Sequence, residues 1–304
     1  MRKANKIMMI TVSVLLCLVL FTSTALSGTL AKYSTSRQSG TASARVAKWG
    51  VTIDASVDTT KLNQVCPNTI SNVIVDESGT NASIEITGLK MGPGDNLSDL
   101  IRFDFSGSPE VRVRVKLAIA VSYSQDNFKV PAGVGELAKE RDIMPICLRF
   151  RGLDSSGSAV IGYTNVFAAF QDSSPNSVEN TVMKVLTGRG SDPTQGMAGC
   201  EVGNGDGDSQ NYYDYLYKDF EPSLNGTAIS FAPNNGTGSI TKFRLGFYYP
   251  LTYTSRKYDS VTLNTDEIGT WLARETYTVN DRTITPDMRT LSVKYTLSIE
   301  QITG

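Results

Sequence analysis

Strict alternation of apolar and polar residues is the strongest pattern in this chain of 304 residues. Between residues 111 and 121 every second residue is apolar, and the first residues between them are basic. The alternation returns near the end of the chain, at Leu291, Val293, Tyr295, Leu297 and Ile299. Successive side chains of a β-strand point to opposite faces of its sheet. Both segments therefore predict strands with one buried face and one solvent-facing face.

Shorter apolar or alternating runs, separated by Gly, Asn, Ser and Pro, predict further strands. The predicted bounds are 46–57, 83–89, 101–105, 146–151, 159–163, 229–232, 240–249 and 260–263. Two segments have helical periodicity instead. Asn264 and Glu267 have the spacing of a capping box, which predicts a helix over residues 265–275. Its buried residues should be Ile268, Trp271 and Leu272. The other predicted helix is 177–186.

These elements indicate a mainly β protein, built as a two-sheet, jelly-roll-like antiparallel sandwich with one or two short helices. Residues 46–304 should form this single domain. A long irregular insertion is expected at about 125–230, because residues 188–211 are rich in Gly, Asp and Ser. Residues 32–45 should be a flexible leader or a strand donated to another subunit.

The first residues have the order of a secretory signal peptide. Three basic residues, Arg2, Lys3 and Lys6, precede an apolar run over residues 7–21, and small residues follow. This order predicts a signal-peptide helix within residues 1–31 and export from the cell. The alternative is a retained membrane anchor, but the run is shorter than the roughly 20 apolar residues that span a bilayer.

The cleavage site is predicted between Ala31 and Lys32. Thr29 and Ala31 then occupy the two small-residue positions that signal peptidases read. Cleavage after Ala25 is the alternative. In either case the membrane segment is present only before cleavage, and the product is extracellular or attached to the cell surface.

The chain contains no histidine, which excludes several reaction classes. An HExxH zinc protease, a Ser-His-Asp triad and a Cys-His dyad all need this residue. Its 29 Lys and Arg balance 30 Asp and Glu, for a net charge of −1. Nucleic-acid binding needs a basic face, so no nucleic-acid partner is expected. We expect a protein that is not an enzyme.

Three cysteines remain once the signal peptide and Cys17 are removed: Cys66, Cys147 and Cys200. Outside the cell, one disulfide among them is expected, and three pairings are open. No CxxC spacing is present, which disfavours a zinc site.

A glycine-rich acidic loop is the candidate metal site. Its oxygen-bearing residues are Glu201, Asn204, Asp206 and Asp208. Calcium prefers oxygen ligands, and alternate positions can converge on one ion. Ser209 and Tyr215 replace the glycine and the bidentate glutamate of an EF-hand, so a solvated turn is the alternative. No other cofactor is expected.

Two aromatic clusters have two interpretations. Their members are Tyr212, Tyr213, Tyr215, Tyr217 and Phe220, and then Phe247, Tyr248, Tyr249 and Tyr253. Aromatic rings stack on sugars, which would make a glycan-binding face, but they also fill sandwich cores. Phe247 and Tyr249 would share one face of a strand, which favours the core for this pair.

Five segments occur in an order known from one family. Residues 28–33 resemble its signal-cleavage region, and residues 44–51 resemble its first strand. Its leucine–proline–glycine–aspartate turn is matched by Leu89, Pro93, Gly94 and Asp95. The long strand from residue 111 and the strand at 291–302 follow in the same order. The chain thus resembles the TasA/camelysin-type proteins, which a dedicated signal peptidase exports from Gram-positive bacteria.

The resemblance implies a jelly-roll sandwich secreted to the cell surface or biofilm matrix. In the best-understood members of that family, the freed N-terminal segment of one subunit completes the sheet of a neighbour and builds fibres. Here the donor strand would bring Tyr33, Ala42 and Ala44 among many Ser and Thr residues. The metalloprotease activity ascribed to camelysin-like relatives is not carried over, because the chain has no histidine.

Three functions therefore follow as hypotheses. The first is a secreted structural protein of the surface or matrix, whose partners are a signal peptidase and further copies of itself or related matrix subunits. The alternative is a monomeric surface adhesin or carbohydrate-binding module that recognises cell-wall glycan. A secreted hydrolase comes last, because no nucleophile and base can be named.

Overall fold

The computed structural model describes residues 50–167, 177–188, 196–204, 213–234, 236–251, 257–258, 261–262 and 264–302. Residues Trp49–Gly304 form one compact unit. Several predictions lie outside the described residues, namely the signal peptide, the cleavage residues Thr29, Ala31 and Lys32, and the donor residues Tyr33, Ala42 and Ala44.

One layer of the fold is a five-stranded antiparallel sheet. Its spatial order is β1 (Val51–Val57), β4 (Asn96–Gly107), β14 (Lys242–Tyr248), β8 (Cys147–Leu153) and β9 (Ala159–Phe167). Each neighbouring pair is antiparallel. Alternate residues of β1 are buried, and their neighbours are exposed, as a sheet with one covered face requires.

The other layer is a six-stranded antiparallel sheet. Its spatial order is β11 (Glu201–Gly203), β12 (Tyr215–Phe220), β5 (Val113–Tyr123), β19 (Leu291–Gln301), β3 (Asn81–Leu89) and β2 (Ile70–Val75). The two strands with the clearest alternation in the sequence, β5 and β19, are neighbours in the middle of this sheet. All five apolar residues predicted on β19 are buried. The mainly β, antiparallel expectation is therefore confirmed.

Short elements surround the two sheets. Two-stranded pairs are β6 (Lys129–Val130) with β7 (Arg141–Asp142), β10 (Met197–Ala198) with β13 (Ala232–Pro233), β15 (Lys257–Tyr258) with β16 (Val261–Thr262), and β17 (Tyr277–Val279) with β18 (Arg282–Ile284). The α-helices are α1 (Thr59–Val65), α2 (Ser177–Leu186) and α3 (Thr265–Leu272). Single 3₁₀ turns are Gln125–Phe128, Val134–Glu136 and Pro286–Met288.

The inner faces of the two large sheets contribute to one hydrophobic core. An aromatic cluster lies within it. The ring of Phe243 lies 4.8 Å from Phe105, 4.9 Å from Phe231 and 5.3 Å from Phe150, measured between ring centroids. Tilted and edge-on contacts of this kind stabilise a core beyond the area they bury.

The predicted helices are present. Helix α2 has the predicted bounds, and α3 begins at Thr265 with Asn264 as its N-cap. The side chain of Asn264 accepts a hydrogen bond from the Glu267 N–H at 3.2 Å. Ile268 and Leu272 are buried as expected. The helix ends at Leu272, short of the predicted residue 275.

The segment expected as an insertion, about 125–230, contributes to the sheets themselves. It supplies β8 and β9 to one sheet and β12 to the other. Helix α1 and strand β2 have no counterpart among the predicted elements. Helix α1 is capped by Asp58, whose side chain accepts from the Lys61 N–H at 3.0 Å, and it buries Leu62.

The expected disulfide is wrong for the described cysteines. Cys66 follows α1, Cys147 begins β8 and Cys200 lies between β10 and β11; all three are buried thiols that are not joined to one another. The Cys66 Sγ donates to the carbonyl of Lys90 at 2.8 Å. Burial raises the pKa of Cys66 to about 11 and that of Cys200 to about 12. An extracellular setting favours disulfides in general, but here the fold holds each thiol apart.

We expect these three thiols to be unreactive in the native protein. Burial keeps all three sulfurs out of reach of a reagent, and the raised pKa of Cys66 and Cys200 also keeps their thiolate forms scarce. The Ellman reagent should detect them only after unfolding in guanidinium chloride, with or without prior reduction. A rise in the thiol count on reduction of the unfolded protein would show a disulfide and contradict this expectation.

Candidate functional site

Strand β2 leaves one side of the six-stranded sheet open. It pairs with β3 in unbroken antiparallel register over all six of its residues. Among the described residues no strand pairs with its other side, which we call the β2 edge. The backbone N–H and C=O groups on such an edge are available to another chain.

The β2 edge exposes apolar side chains on both faces of the sheet. Val73 and Val75 pair with Ile84 and Ala82, which are core residues, yet Val73 is 38% exposed and Val75 is 40% exposed. Their face is therefore incompletely covered by the opposite sheet. On the outer face, Ile70 is 68% exposed and Ile74 is 58% exposed.

The β2 edge lacks the devices that usually protect an edge strand. Its sequence, Ile-Ser-Asn-Val-Ile-Val, has no charge and no proline. Uncharged β-branched segments of this kind readily pair with other strands.

The other edge strands of the two large sheets are better protected. Strand β1 carries Asp54, and its Ile53 N–H donates to the Gly79 carbonyl at 2.7 Å. Strand β9 has register irregularities against β8, and β11 has only three residues. The β2 edge is therefore the most accessible pairing site among the edge strands of the two large sheets.

The hairpin between β2 and β3 is held by the carboxylate of Asp76. One oxygen, Oδ1, accepts from the backbone N–H groups of Thr80 at 2.8 Å and Asn81 at 3.1 Å. The other, Oδ2, accepts from the side chains of Asn81 at 2.7 Å, Ser78 at 2.9 Å and Thr80 at 3.2 Å. These hydrogen bonds, above all the one from the Asn81 side chain, hold the pKa of Asp76 far below its ordinary value. The turn that follows β2 is thus held in place by hydrogen bonds within the chain.

We expect Asp76→Ala to lower the melting temperature at neutral pH. Because folding lowers the pKa of Asp76, its contribution is complete above the unfolded-chain pKa of about 3.9 and is lost as the pH falls through the folded value. The difference between parent and variant should therefore shrink below about pH 4. Thermal unfolding monitored by circular dichroism between neutral and acidic pH measures it. Glu77→Ala, which removes a neighbouring exposed charge, is the control, and an equal loss there would contradict the assignment.

The residues that resemble the family turn connect the two sheets. Leu89 is buried at the end of β3. The Asp95 side chain accepts from the Gly92 N–H at 2.7 Å, and the Gly94 N–H donates to the Tyr249 carbonyl at 2.8 Å. Gly94 has a φ of +93°, which favours glycine. The turn from Leu89 through Pro93 to Asp95 thus fixes the passage from β3 to β4.

The predicted calcium loop is described only in part. Glu201 lies on β11 and Asn204 follows it, whereas Asp206 and Asp208 lie outside the described residues. The Asp214 N–H donates to the Gly203 carbonyl at 2.9 Å, which closes the loop at its base. In the described part of the chain, no group of three or more Cys, Asp or Glu residues is placed to hold a metal ion. Calcium binding stays a prediction.

The aromatic clusters divide between core and surface. Phe247 and Tyr249 are buried, as their shared face predicts. Tyr215 and Tyr217 lie on β12 on either side of buried Leu216, with their rings 5.8 Å apart. Tyr212 and Tyr253 lie outside the described residues.

The two β12 tyrosines do not offer free ring faces on the side that carries the cations. Arg114 lies 4.0 Å above the Tyr217 ring, and Lys116 lies 4.4 Å above the Tyr215 ring. Arg114 is also held by Asp219 through two hydrogen bonds of 2.6 and 2.9 Å. The bond from Arg114 lowers the pKa of Asp219. A sugar would have to displace both cations from that side, which disfavours this surface as a glycan platform.

Comparison with known proteins adds no relative. The chain matches no protein-family profile, no curated protein and no solved structure. In the ranges that the structure describes, no helix is long and apolar enough to cross a membrane.

Proposed function

We propose that this protein is a secreted structural subunit of the cell surface or biofilm matrix, and that subunits assemble into fibres by strand pairing at the β2 edge. The donor is the segment 32–44 of a neighbouring subunit, released when a signal peptidase cuts before Lys32. The observation that carries the proposal is the β2 edge itself, which is regular, uncharged and apolar on both faces.

The β2 edge supplies the apolar surface that the donor segment lacks. Ordering about a dozen donor residues costs roughly 1–2 kcal/mol of backbone entropy per residue. Few apolar side chains of its own offset this cost, since only Tyr33, Ala42 and Ala44 stand among the polar residues. The apolar surface of Ile70 and Ile74 belongs to the acceptor, and any strand laid beside β2 covers part of it.

Strand pairing also adds a row of backbone hydrogen bonds. Main-chain bonds give affinity in this mode of recognition, and they tolerate a donor rich in Ser and Thr. Both residues have short side chains that fit beside branched neighbours on a strand. Cleavage acts as the switch, because an uncut N-terminus keeps the donor next to the membrane segment.

The test compares the chain starting at Lys32 with the same chain lacking residues 32–44. Size-exclusion chromatography with light scattering and negative-stain electron microscopy should show filaments that grow with concentration for the first protein. The truncated protein should stay monomeric, and adding a synthetic peptide of residues 32–44 should bind it with a 1:1 ratio.

Two results would overturn the proposal. A strict monomer at all concentrations that binds purified cell-wall glycan would favour the adhesin alternative. Filaments that persist after removal of residues 32–44 would show that these residues are not the donor.

A further inference from the structure

A cavity of about 220 Å³ lies beside the turn that joins β3 to β4. Its lining brings together segments that are far apart in the sequence. The apolar part comes from Met91 in the turn, Phe128 in a 3₁₀ turn, Leu272 at the end of α3 and Tyr249 after β14. All four residues are buried, so the surface they offer is already formed.

Arg289 places a positive charge at this apolar cavity. Its Nη2 donates to the Arg274 carbonyl at 2.7 Å, and its guanidinium lies 5.7 Å from the centre of the Tyr277 ring. Its Nε–H is buried and has no hydrogen-bond partner in the described part of the chain. Arg289 takes part in none of the ion pairs among the described residues.

The other charged residues at the cavity do not neutralise Arg289. Lys90 is paired with Asp287, so these two charges compensate each other. Glu275 also lines the cavity, but its side chain is exposed to solvent. The cavity therefore combines an apolar interior with one cation that lacks a carboxylate partner.

We propose that this cavity binds an aromatic carboxylate, with the ring against Met91, Phe128 and Leu272 and the carboxylate on Arg289. An engineered apolar cavity of roughly 150 Å³ holds a benzene molecule. The larger volume here accommodates a ring with a short arm ending in a carboxylate. Guanidinium and carboxylate groups form charge-assisted, often two-pronged hydrogen bonds. The inference is independent of fibre assembly, because the cavity residues are not on β2.

Isothermal titration calorimetry on the full chain tests this with 3-phenylpropanoate as the probe. For a ligand of this size we expect a dissociation constant on the order of 1 mM. Two analogues separate the contributions: 3-phenylpropan-1-ol lacks the charge, and propanoate lacks the ring. Both should bind at least about tenfold more weakly, because each loses one of the two recognised groups.

Three variants locate the site. Arg289→Gln should weaken binding of 3-phenylpropanoate by at least about tenfold. Ala273→Trp should block binding too, because Ala273 lines the cavity and is itself exposed, so a larger side chain there does not disturb the core. Arg282→Gln removes the same charge from an exposed position nearby and should leave affinity unchanged. Thermal unfolding of each variant verifies that it folds.

A peptide comparison tests whether the bound carboxylate can be the C-terminus of a peptide as well as a free small acid. The tripeptide Gly-Gly-Phe with a free C-terminus carries the same chemistry as the free acid, and its amidated form does not. Binding of the free form but not the amide would indicate that a chain terminus is a suitable source. Absence of saturable binding by both 3-phenylpropanoate and the free peptide would overturn the proposal. Parent-like affinity of both Arg289→Gln and Ala273→Trp for 3-phenylpropanoate would overturn it too.

Discussion

Replacing Ile74 by lysine should prevent filament formation at concentrations where the parent chain starting at Lys32 assembles. Ile74 is 58% exposed on the outer face of β2, so the fold itself should accept lysine there. In the assembled state the new ammonium group would lie beside the incoming strand and lose part of its hydration. Lysine on an edge strand is one of the means by which proteins avoid strand pairing.

The effect should be large enough for a simple assay. A loss of about 3 kcal/mol per contact corresponds to a rise of roughly a hundredfold in the critical concentration for assembly. Pelleting at increasing protein concentration, followed by electron microscopy, measures this quantity. Circular dichroism of the soluble fraction verifies that the variant is folded.

Leu224→Lys is the matched control for Ile74→Lys. Leu224 is 97% exposed and is not on β2, so the variant has the same change in charge and a similar loss of exposed apolar surface. Its critical concentration should equal that of the parent. If Ile74→Lys assembled as readily as Leu224→Lys while removal of residues 32–44 still abolished filaments, the acceptor would have to be another edge.

Replacing Phe243 by alanine should destabilise the protein more than any other substitution considered above. Phe243 is fully buried, and its ring packs against those of Phe105, Phe150 and Phe231. Removing a buried phenylalanine side chain costs about 3–5 kcal/mol, which includes the cavity that it leaves. Domains are stable by only about 5–15 kcal/mol, so the variant should be close to unfolding.

Urea denaturation followed by circular dichroism measures the change in the free energy of unfolding. Phe243→Leu keeps most of the buried volume and should lose less than the alanine variant. Leu224→Ala, at an exposed position, should change stability by no more than about 0.5 kcal/mol. A loss below about 1 kcal/mol for Phe243→Ala would mean that the cluster is not part of a tightly packed core.

The central strands could be predicted from the sequence because they are covered on one face only. In β5 and β19 buried residues alternate with more solvent-exposed residues, so the hydrophobic pattern of the sequence has a clear period of two. The cap of α3 was also readable, because an N-cap is a local interaction between Asn264 and the backbone of Glu267. Local sequence patterns were therefore sufficient to predict both the central strands and the N-cap of α3.

The β2 edge could not be recognised in the same way. Its apolar residues lie on both faces, so the segment has no period of two, and its exposure depends on how far the opposite sheet reaches. Strand β12 could not be predicted from the sequence for a related reason. Its tyrosines occupy the outer face, and Leu216 and Phe220 are the apolar residues of the inner one. A run of aromatic residues alone does not distinguish these arrangements.

The cavity and the cysteine environments depend on contacts between distant segments. Met91 and Arg289 are brought together only when β3 and β19 pair, and no local motif links them. Likewise, the spacing of Cys66, Cys147 and Cys200 gives no information on which element will cover each sulfur. Only the tertiary structure shows that the three are apart.

The burial of Cys66, Cys147 and Cys200 makes this protein a convenient host for thiol-reactive labels. One cysteine introduced at Asn72, an exposed position on β2, would be the only accessible thiol in the described part of the chain. A fluorophore or spin label could then be attached there without first removing native cysteines, and it would report directly on whatever comes to lie beside that strand.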